Sequence, residues 1–244
     1  LVEYNYFVHV SHLTAEEEDD FYEISKKIKK LSYAANLNKE TEEFKLWSNL
    51  CIQRRRIIET AKNKTELFFE KFLANNNDYT YTLIFCSDKD PRQLTVINSF
   101  LQLNHINYHQ ITSAETSNPK LLEKTIADYN NGIIQVLTSK RVLDEGFNVP
   151  STKNAYILAS NTTKRQWVQR LGRVLRKAPN KTVANIHDFV VLPMLDDNQI
   201  DDEFKSLLKS EADRINFFIE YSRSNTNTSN TLSILTYIAN LLTK

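Results

Sequence analysis

Residues 81–86 read YTLIFC, and the polar pair Ser87 and Asp88 follows directly. A short apolar run that stops at polar residues is typical of a strand buried in a parallel sheet. Similar short runs recur along the chain, at 108–112, 133–138, 155–159 and 183–189. Helical patterns lie between them, at 91–103, 119–129 and 165–176. This alternation predicts an α/β fold with a doubly wound, mostly parallel sheet.

The ends of the predicted strands are where a ligand is expected. In open α/β sheets, ligands bind beyond the carboxyl ends of the strands. Four hydroxyl-bearing residues lie at these ends: Ser87, Thr112, Thr138 and Ser139. Hydroxyl and backbone N–H groups suit contacts to phosphate oxygens, so the four residues are candidate phosphate contacts.

Helical segments flank the predicted sheet on both sides. Residues 1–10 predict a short strand, and Thr14 with Glu17 forms a capping box that begins a helix. A longer helix is predicted over about 41–74. The predicted units are an N-terminal strand with a helical linker or hairpin (1–78), a core domain (79–192) and a C-terminal helical extension (193–244). Because the sequence begins at Leu1 without an initiator Met, we expect it to be part of a longer protein.

Composition and charge restrict the partners. The 244 residues are 41% hydrophobic and 25% charged, as in ordinary soluble domains. No stretch is apolar for long enough to span a bilayer, so we expect a cytoplasmic protein with no membrane partner. The net charge is +1, yet residues 139–182 carry ten basic and two acidic residues, which indicates bound phosphate. Neither Cys51, Cys86 nor any histidine shows metal-ligand spacing, so we expect free thiols and no metal site.

Residues 169–176, which read QRLGRVLR, carry the strongest functional pattern. Arg170, Arg173 and Arg176 stand three apart and would form one ridge on a helix. Arginine suits a triphosphate because its charge is permanent and its donors form a planar fork. Gly172 would let another backbone approach closely. The alternative is a solvated basic helix face that packs against acids elsewhere.

Residues 136–150, which read VLTSKRVLDEGFNVP, form a second pattern. They predict a buried strand that ends in a hydroxyl pair, then a short helix and a glycine turn. The alternative is a helix-breaking turn between two strands, with no ligand.

These patterns resemble motifs of superfamily 2 helicases and translocases. Residues 169–176 resemble motif VI, and 169–177 are especially similar to XPB-type repair helicases. Residues 136–150 resemble motif V and end 19 residues before residue 169, while 83–88 resemble motif IV more weakly. The flanking helices are more loosely similar to restriction- and defence-type DEAD/DEAH relatives. The resemblance implies a second, C-terminal RecA-like domain.

The resemblance also implies roles for individual residues. Arg173 and Arg176 match the arginine fingers that reach ATP on a partner domain, and Gln169 matches the residue that senses the γ-phosphate. The residues implied to face the nucleotide are Asp144, Glu145, Gly146 and Arg170. Thr138 matches the residue that touches the nucleic-acid backbone, and we extend that role to Ser139, Ser87 and Thr112. Asn148 stands where relatives carry Asp, so this position keeps a hydrogen-bonding carbonyl but loses the negative charge.

The sequence contains no GxxxxGK[ST] motif and no acidic motif placed after a strand. This chain therefore has no cradle for the β- and γ-phosphates or for Mg²⁺. We expect ATP and Mg²⁺ to be held by an upstream RecA-like domain of the same parent chain, and this fragment to be inactive by itself. The expected parent is an ATP-dependent helicase or translocase acting on nucleic acid, with DNA favoured. The alternative is a non-catalytic nucleic-acid-binding or scaffolding module from a degenerate motor.

Overall fold

The computed structural model describes residues 1–75, 78–87, 91–112, 117–139, 149–159, 164–194, 201–223 and 228–243. The described strands are β1 (Glu3–His12), β2 (Thr82–Phe85), β3 (Tyr108–Ile111), β4 (Val136–Ser139), β5 (Asn154–Ile157) and β6 (Val183–Leu192). The described helices are α1 (Ala15–Lys30), α2 (Glu42–Thr60), α3 (Lys62–Asn75), α4 (Pro91–Leu103), α5 (Pro119–Asn130), α6 (Lys164–Val174), α7 (Asp202–Glu220) and α8 (Thr228–Thr243), with a 3-10 turn at Ser32–Asn36.

The six strands form one sheet in the order β1-β6-β5-β2-β4-β3, and every neighbouring pair is parallel. The predicted doubly wound parallel sheet is therefore confirmed. Because all six strands run in one direction, their carboxyl ends meet at a single edge. The segments that follow β2, β3, β4 and β5 all begin at that edge.

The first strand lies inside the sheet, whereas the predicted boundary at residue 78 placed it in an N-terminal extension. β1 pairs with β6 along its whole length, from Glu3 opposite Val183 to His12 opposite Leu192. Tyr4 and Tyr6 are buried by this pairing. The hydroxyl of Tyr4 donates to the Phe218 carbonyl, 2.5 Å away, which ties the strand to α7.

The long helix predicted over 41–74 is two helices. α2 ends at Thr60, Ala61 adopts an extended ψ of 128°, and α3 begins at Lys62. No glycine or proline marks this break, so tertiary contacts impose it against local preference. The prediction that these helices pack is confirmed, since α1 packs on α2 and Phe21, Phe68 and Phe72 are buried.

Helices cover both faces of the sheet. On one face, Phe68 and Phe72 of α3 pack with α4 against Ile84 and Tyr156. The opposite face packs against α5, α6, α7 and α8, with Trp167 and Phe218 in its core. Of the two free cysteines, Cys86 is buried and Cys51 is half-buried.

A buried ionic cluster fixes α7 to the sheet. Arg214 donates to Asp188 of β6 at 3.0 Å and to Glu211 at 2.6 Å. The hydroxyl of Tyr6 also donates to Asp188, at 2.9 Å. Removing one member of such a cluster strands a buried charge. The C-terminal extension is therefore an integral layer of the fold.

A ladder of aromatic rings crosses β1, β6 and β5. His187 stacks between Phe7 and Tyr156, at centroid distances of 4.7 Å and 4.5 Å. His9 Nε2 lies 3.1 Å from His187 Nδ1. Burial, aided by the charge of Lys71, lowers the pKa of His9 to about 4. Burial and the neighbouring His9 lower the pKa of His187 to about 3.

These two histidines predict a loss of stability in mild acid. Their folded pKa values lie below the ordinary value of 6.5, so the unfolded chain binds more protons below that pH. For the buried His187, the loss reaches roughly 2 kcal/mol at about pH 5, at about 1.4 kcal/mol per pH unit. Urea unfolding measured from about pH 7.5 to about pH 5 should show this decline. His187→Phe should flatten it, whereas His105→Asn, which removes an exposed histidine, should leave it unchanged. Equal slopes in all three proteins would contradict the assignment.

Candidate functional site

The hydroxyl-bearing residues predicted at the strand ends do lie together at the carboxyl edge, but most are buried. Ser87, Thr138 and Ser139 are almost completely inaccessible, and Thr112 is half-buried. Backbone bonds hold the neighbouring strand ends in register: Cys86 N–H donates to Ser139 O at 2.9 Å, and Leu158 N–H donates to Phe85 O at 3.0 Å. Of the four, Thr112 is the one whose side chain is partly accessible.

Thr138 donates its hydroxyl hydrogen bond to another residue of the domain. The acceptor is Oδ1 of Asn98 on α4, 2.9 Å away. Asn98 in turn donates to Gln110 of β3, at 2.7 Å. The Thr138 hydroxyl therefore fixes the ends of β4 and β3 against α4.

The end of α2 is locked onto the end of β2, a contact that the sequence did not reveal. Gln93 Oε1 accepts from Ser87 N–H at 2.7 Å, and Gln93 Nε2 donates to the Glu59 carbonyl at 2.9 Å. The Ser87 hydroxyl donates to the Glu59 carboxylate at 3.3 Å. Arg55 lies 3.4 Å from the same carboxylate. Polar residues of α2 are thereby brought to the carboxyl edge of the sheet.

Lys64 connects the end of α2 to the end of β5. Its buried ammonium donates to Ile58 O at 2.5 Å and to Leu158 O at 2.9 Å. Burial lowers the pKa of Lys64 to about 8. Lys64 lies in helical phase with the buried Ala61, Phe68 and Phe72, and this spacing could have revealed a buried lysine.

The helix of residues 169–176 is shorter than predicted. α6 ends at Val174, so Arg170 and Arg173 lie on the helix and Arg176 lies beyond it. The predicted ridge of three arginines on one helix is therefore not formed. Pro179 follows closely and cannot continue a helix. Trp167 is buried on the inner face of α6, Gln169 and Arg176 are exposed, and Arg173 is half-buried.

Gly172 does not serve a close contact within this chain. Outside the helix itself, a Cβ added at Gly172 would meet no atom of the described residues within 4 Å. The prediction of a close backbone approach therefore finds no partner here.

A buried lysine holds the end of α6. Lys181 donates to the carbonyl of Val174 and, at 2.9 Å, to the carbonyl of Pro150. Burial lowers the pKa of Lys181 to about 8. This lysine joins the end of the motif VI helix to the end of the motif V segment.

Several predicted residues lie outside the described part of the chain. Asp144, Glu145, Gly146 and Asn148 fall within the undescribed segment 140–148, and the side chain of Arg170 is also undescribed. Among the described residues, no group of three or more His, Cys, Asp or Glu could hold a metal ion. The described helices include none that is long and apolar enough to cross a membrane.

The segment that runs from the end of α2 through α6 identifies the family. Residues 59–178 match the helicase conserved C-terminal domain family. This chain carries a superfamily 2 helicase C-terminal domain. The resemblance of its motifs to that family is therefore confirmed, and the helicase domain is homologous to the motor domains of helicases and translocases.

Two curated relatives match parts of the chain. Over 55 residues the chain is 40% identical to DNA 3'-5' translocase XPB2 of Sulfurisphaera tokodaii, a match that covers 22% of this chain and 12% of that protein. Over 171 residues it is 27% identical to "Putative helicase 22" of Sulfolobus islandicus filamentous virus, covering 69% of this chain and 28% of that protein. The chain therefore spans less than a third of either relative.

A solved structure shares the fold of the helicase domain. The Sulfolobus solfataricus SWI2/SNF2 ATPase core in complex with dsDNA superposes with a TM-score of 0.53 at 10% identity. The match covers 96% of this chain and 50% of that chain. At this identity the likeness shows the fold alone.

The geometry of Thr138 predicts a stability effect. Thr138→Val keeps the shape but leaves the half-buried Asn98 carbonyl without its donor, which should cost about 1–3 kcal/mol of unfolding free energy. Thr138→Ser should retain most of the stability, and Thr182→Val, at an exposed position, should change it little. Urea unfolding of the four proteins checks this. A Thr138→Val protein as stable as wild type would show that the hydroxyl bond contributes nothing.

Proposed function

We propose that this domain is the second RecA-like half of an ATP-dependent DNA helicase or translocase, and that it supplies arginine fingers to ATP held by another domain. The observation that carries the proposal is the motif VI helix. Gln169 and Arg176 present their side chains to solvent, and Arg173 lies half-buried between them. Because the sequence has no phosphate cradle, the triphosphate must come from a partner domain.

The surroundings of Arg176 suit it to bind an anion that is not part of this chain. Its exposed guanidinium has no carboxylate within ion-pair distance among the described residues. The open space beside Gly172 leaves room for a partner surface to approach α6. An unpaired, permanently charged fork on an accessible face is suited to phosphate oxygens.

The packing of α6 supports a rigid presentation of these residues. Trp167, Leu171 and Val174 are buried against the sheet, and Lys181 holds the helix end. Catalytic groups need such fixed support, because small displacements weaken transition-state contacts. Bound ATP supplies the phosphoryl group whose transfer to water releases energy. Arg173 and Arg176 would stabilise the charge on that group, and Gln169 would contact its oxygens.

Two considerations favour DNA as the substrate. One curated relative is named a DNA translocase. In this chain, the basic segment 139–182 and the carboxyl edge provide donors for backbone phosphates. The nucleotide-facing role of Asp144, Glu145, Gly146 and Arg170 remains part of the same proposal, with Mg²⁺ held by the partner domain.

The alternative is a scaffold that binds nucleic acid without catalysis. Such a module would have no use for an exposed glutamine and two arginines at a helicase motif. The presence of Gln169, Arg173 and Arg176 therefore favours the motor.

The test of the motor function is the ATPase rate of a protein that joins this chain to its ATP-binding domain. Arg173→Ala and Arg176→Ala should each lower nucleic-acid-stimulated turnover by a factor on the order of 10³–10⁵, because they remove charge from the transferring phosphoryl group. Lysine replacements should rescue poorly, since an ammonium lacks the planar fork. Melting temperature and ATP affinity should change little.

Lys177→Ala removes an exposed neighbouring cation and serves as the matched control. Near wild-type turnover in both alanine variants would refute the arginine-finger role and favour the scaffold.

A second prediction concerns nucleic-acid binding by the chain itself. Binding should be weak, independent of sequence and lost at high salt, because contacts to phosphates dominate it. Fluorescence anisotropy with two unrelated DNA sequences at rising salt measures this. Thr112→Val should weaken the binding of both DNA sequences severalfold and to the same extent. Thr182→Val should weaken the binding of neither sequence. A preference for one sequence that survives high salt would contradict phosphate recognition.

A further inference from the structure

The helices outside the helicase domain form a packed layer of their own. The family match begins at residue 59, so α1 and nearly all of α2 precede it, and α7 and α8 follow it. Phe21 of α1 stacks on Phe204 of α7 at 5.2 Å. Leu13, Ala61 and Val191 are buried beneath this contact. The helical hairpin and the C-terminal extension therefore pack on each other.

A cavity of about 280 Å³ lies between this layer and the motif VI helix. Its walls come from α2 and α7, and Trp167 of α6 closes it on the side of the helicase domain. The volume is close to the lower end of the range for small-molecule sites. A bound molecule would therefore touch the helix that carries the proposed arginine fingers.

The charges that line the cavity leave one cation unmatched. Arg55 lies 3.4 Å from Glu59, and Arg214 is paired with Glu211 at 2.6 Å. Arg54 has no carboxylate within ion-pair distance among the described residues. Its guanidinium donates to the Ser25 hydroxyl at 3.4 Å and lies 5.6 Å from the centre of the Phe21 ring.

The acids that line an adjoining cleft with this arginine are already engaged, and Asp202 is paired with Lys205 at 3.0 Å. Glu203, which lines an adjoining cleft together with Arg54, lies within 3.8 Å of Lys29 instead. A half-buried guanidinium without a counter-ion is costly unless an anion can reach it. Arg54 therefore indicates a negatively charged ligand.

Two hydroxyls face the cavity from the opposite wall. Ser206 and Ser210 lie one turn apart on α7, so they project from the same side of the helix. No hydrogen bond among the described residues engages either hydroxyl. With Arg54 they provide three donors from two helices, a set that suits the oxygens of a phosphate group.

We propose that this cavity binds the phosphate group of a small ligand, with Arg54, Ser206 and Ser210 as its donors. The cavity is small and lies between helices, which favours a free phosphate or a mononucleotide over a nucleic-acid strand. This inference does not rest on the motor function, because it concerns the isolated chain and residues outside the helicase motifs.

The experiment is titration calorimetry of the whole chain with three probes: inorganic phosphate, AMP and a short oligothymidylate without terminal phosphates. Phosphate or AMP should bind saturably. Arg54→Gln should weaken that binding by at least about tenfold, because a charge-assisted contact is lost. Arg56→Gln, which removes an exposed guanidinium of the same helix, should leave it unchanged.

Tryptophan fluorescence supplies an independent readout. The chain has two tryptophans, so in a Trp47→Phe background the emission reports on Trp167 in the cavity wall. It should change on addition of phosphate or AMP. If Arg54→Gln fails to fold by circular dichroism, the double change Ser206→Ala with Ser210→Ala replaces it, with the same expected loss. No saturable binding, binding unaffected by these changes, or an effect confined to the oligothymidylate would overturn the proposal.

Discussion

A parallel sheet brings the carboxyl ends of its strands to one edge, and covering that edge with helices buries carbonyls and hydroxyls that must find partners. Here side chains from distant segments supply them. Lys64 joins the end of α2 to the end of β5, and Lys181 joins the end of α6 to Pro150. Gln93 and Asn98 do the same for the ends of β2 and β4. These bonds fix the described ends of the segments that carry the helicase motifs.

The consequence for function is a division between residues that hold the edge and residues that face outward. The hydroxyls of Ser87 and Thr138 are engaged in holding it. Gln169 remains accessible on α6, whose inner face is packed, and Arg176 remains accessible just beyond the end of that helix. In the proposed function, arginine and glutamine side chains contact the nucleotide, while main-chain groups and basic side chains contact the phosphates of DNA.

Much of this fold could be predicted from the sequence, because buried parallel strands and amphipathic helices have distinct periods. The strand at 81–86 and the helix patterns after it were predicted within a few residues. The pairing of β1 with β6 was missed, because the partner of a strand 180 residues away leaves no local signal. The break at Ala61 was missed for the same reason, since distant carbonyls and Lys64 impose it.

The candidate site could be predicted from the sequence only in part. The motif pattern located Gln169, Arg173 and Arg176, and the family match confirms the domain that contains them. Periodicity placed Arg176 on the helix, although the chain leaves the helix at Val174. Side-chain burial at the strand ends depends on the packing of α2 and α4, so sequence alone could not distinguish an outward hydroxyl from an inward one.

The central claim is that Arg173 and Arg176 reach a nucleotide held by another domain. The most direct measurement is a structure of the protein that joins this chain to its ATP-binding domain, with DNA and with ADP and aluminium fluoride as a mimic of the transferring phosphoryl group. The account predicts both guanidiniums within about 3 Å of the fluoride or phosphate oxygens. Both arginines turned to solvent or to DNA, with the mimic bound and the domains closed, would contradict it.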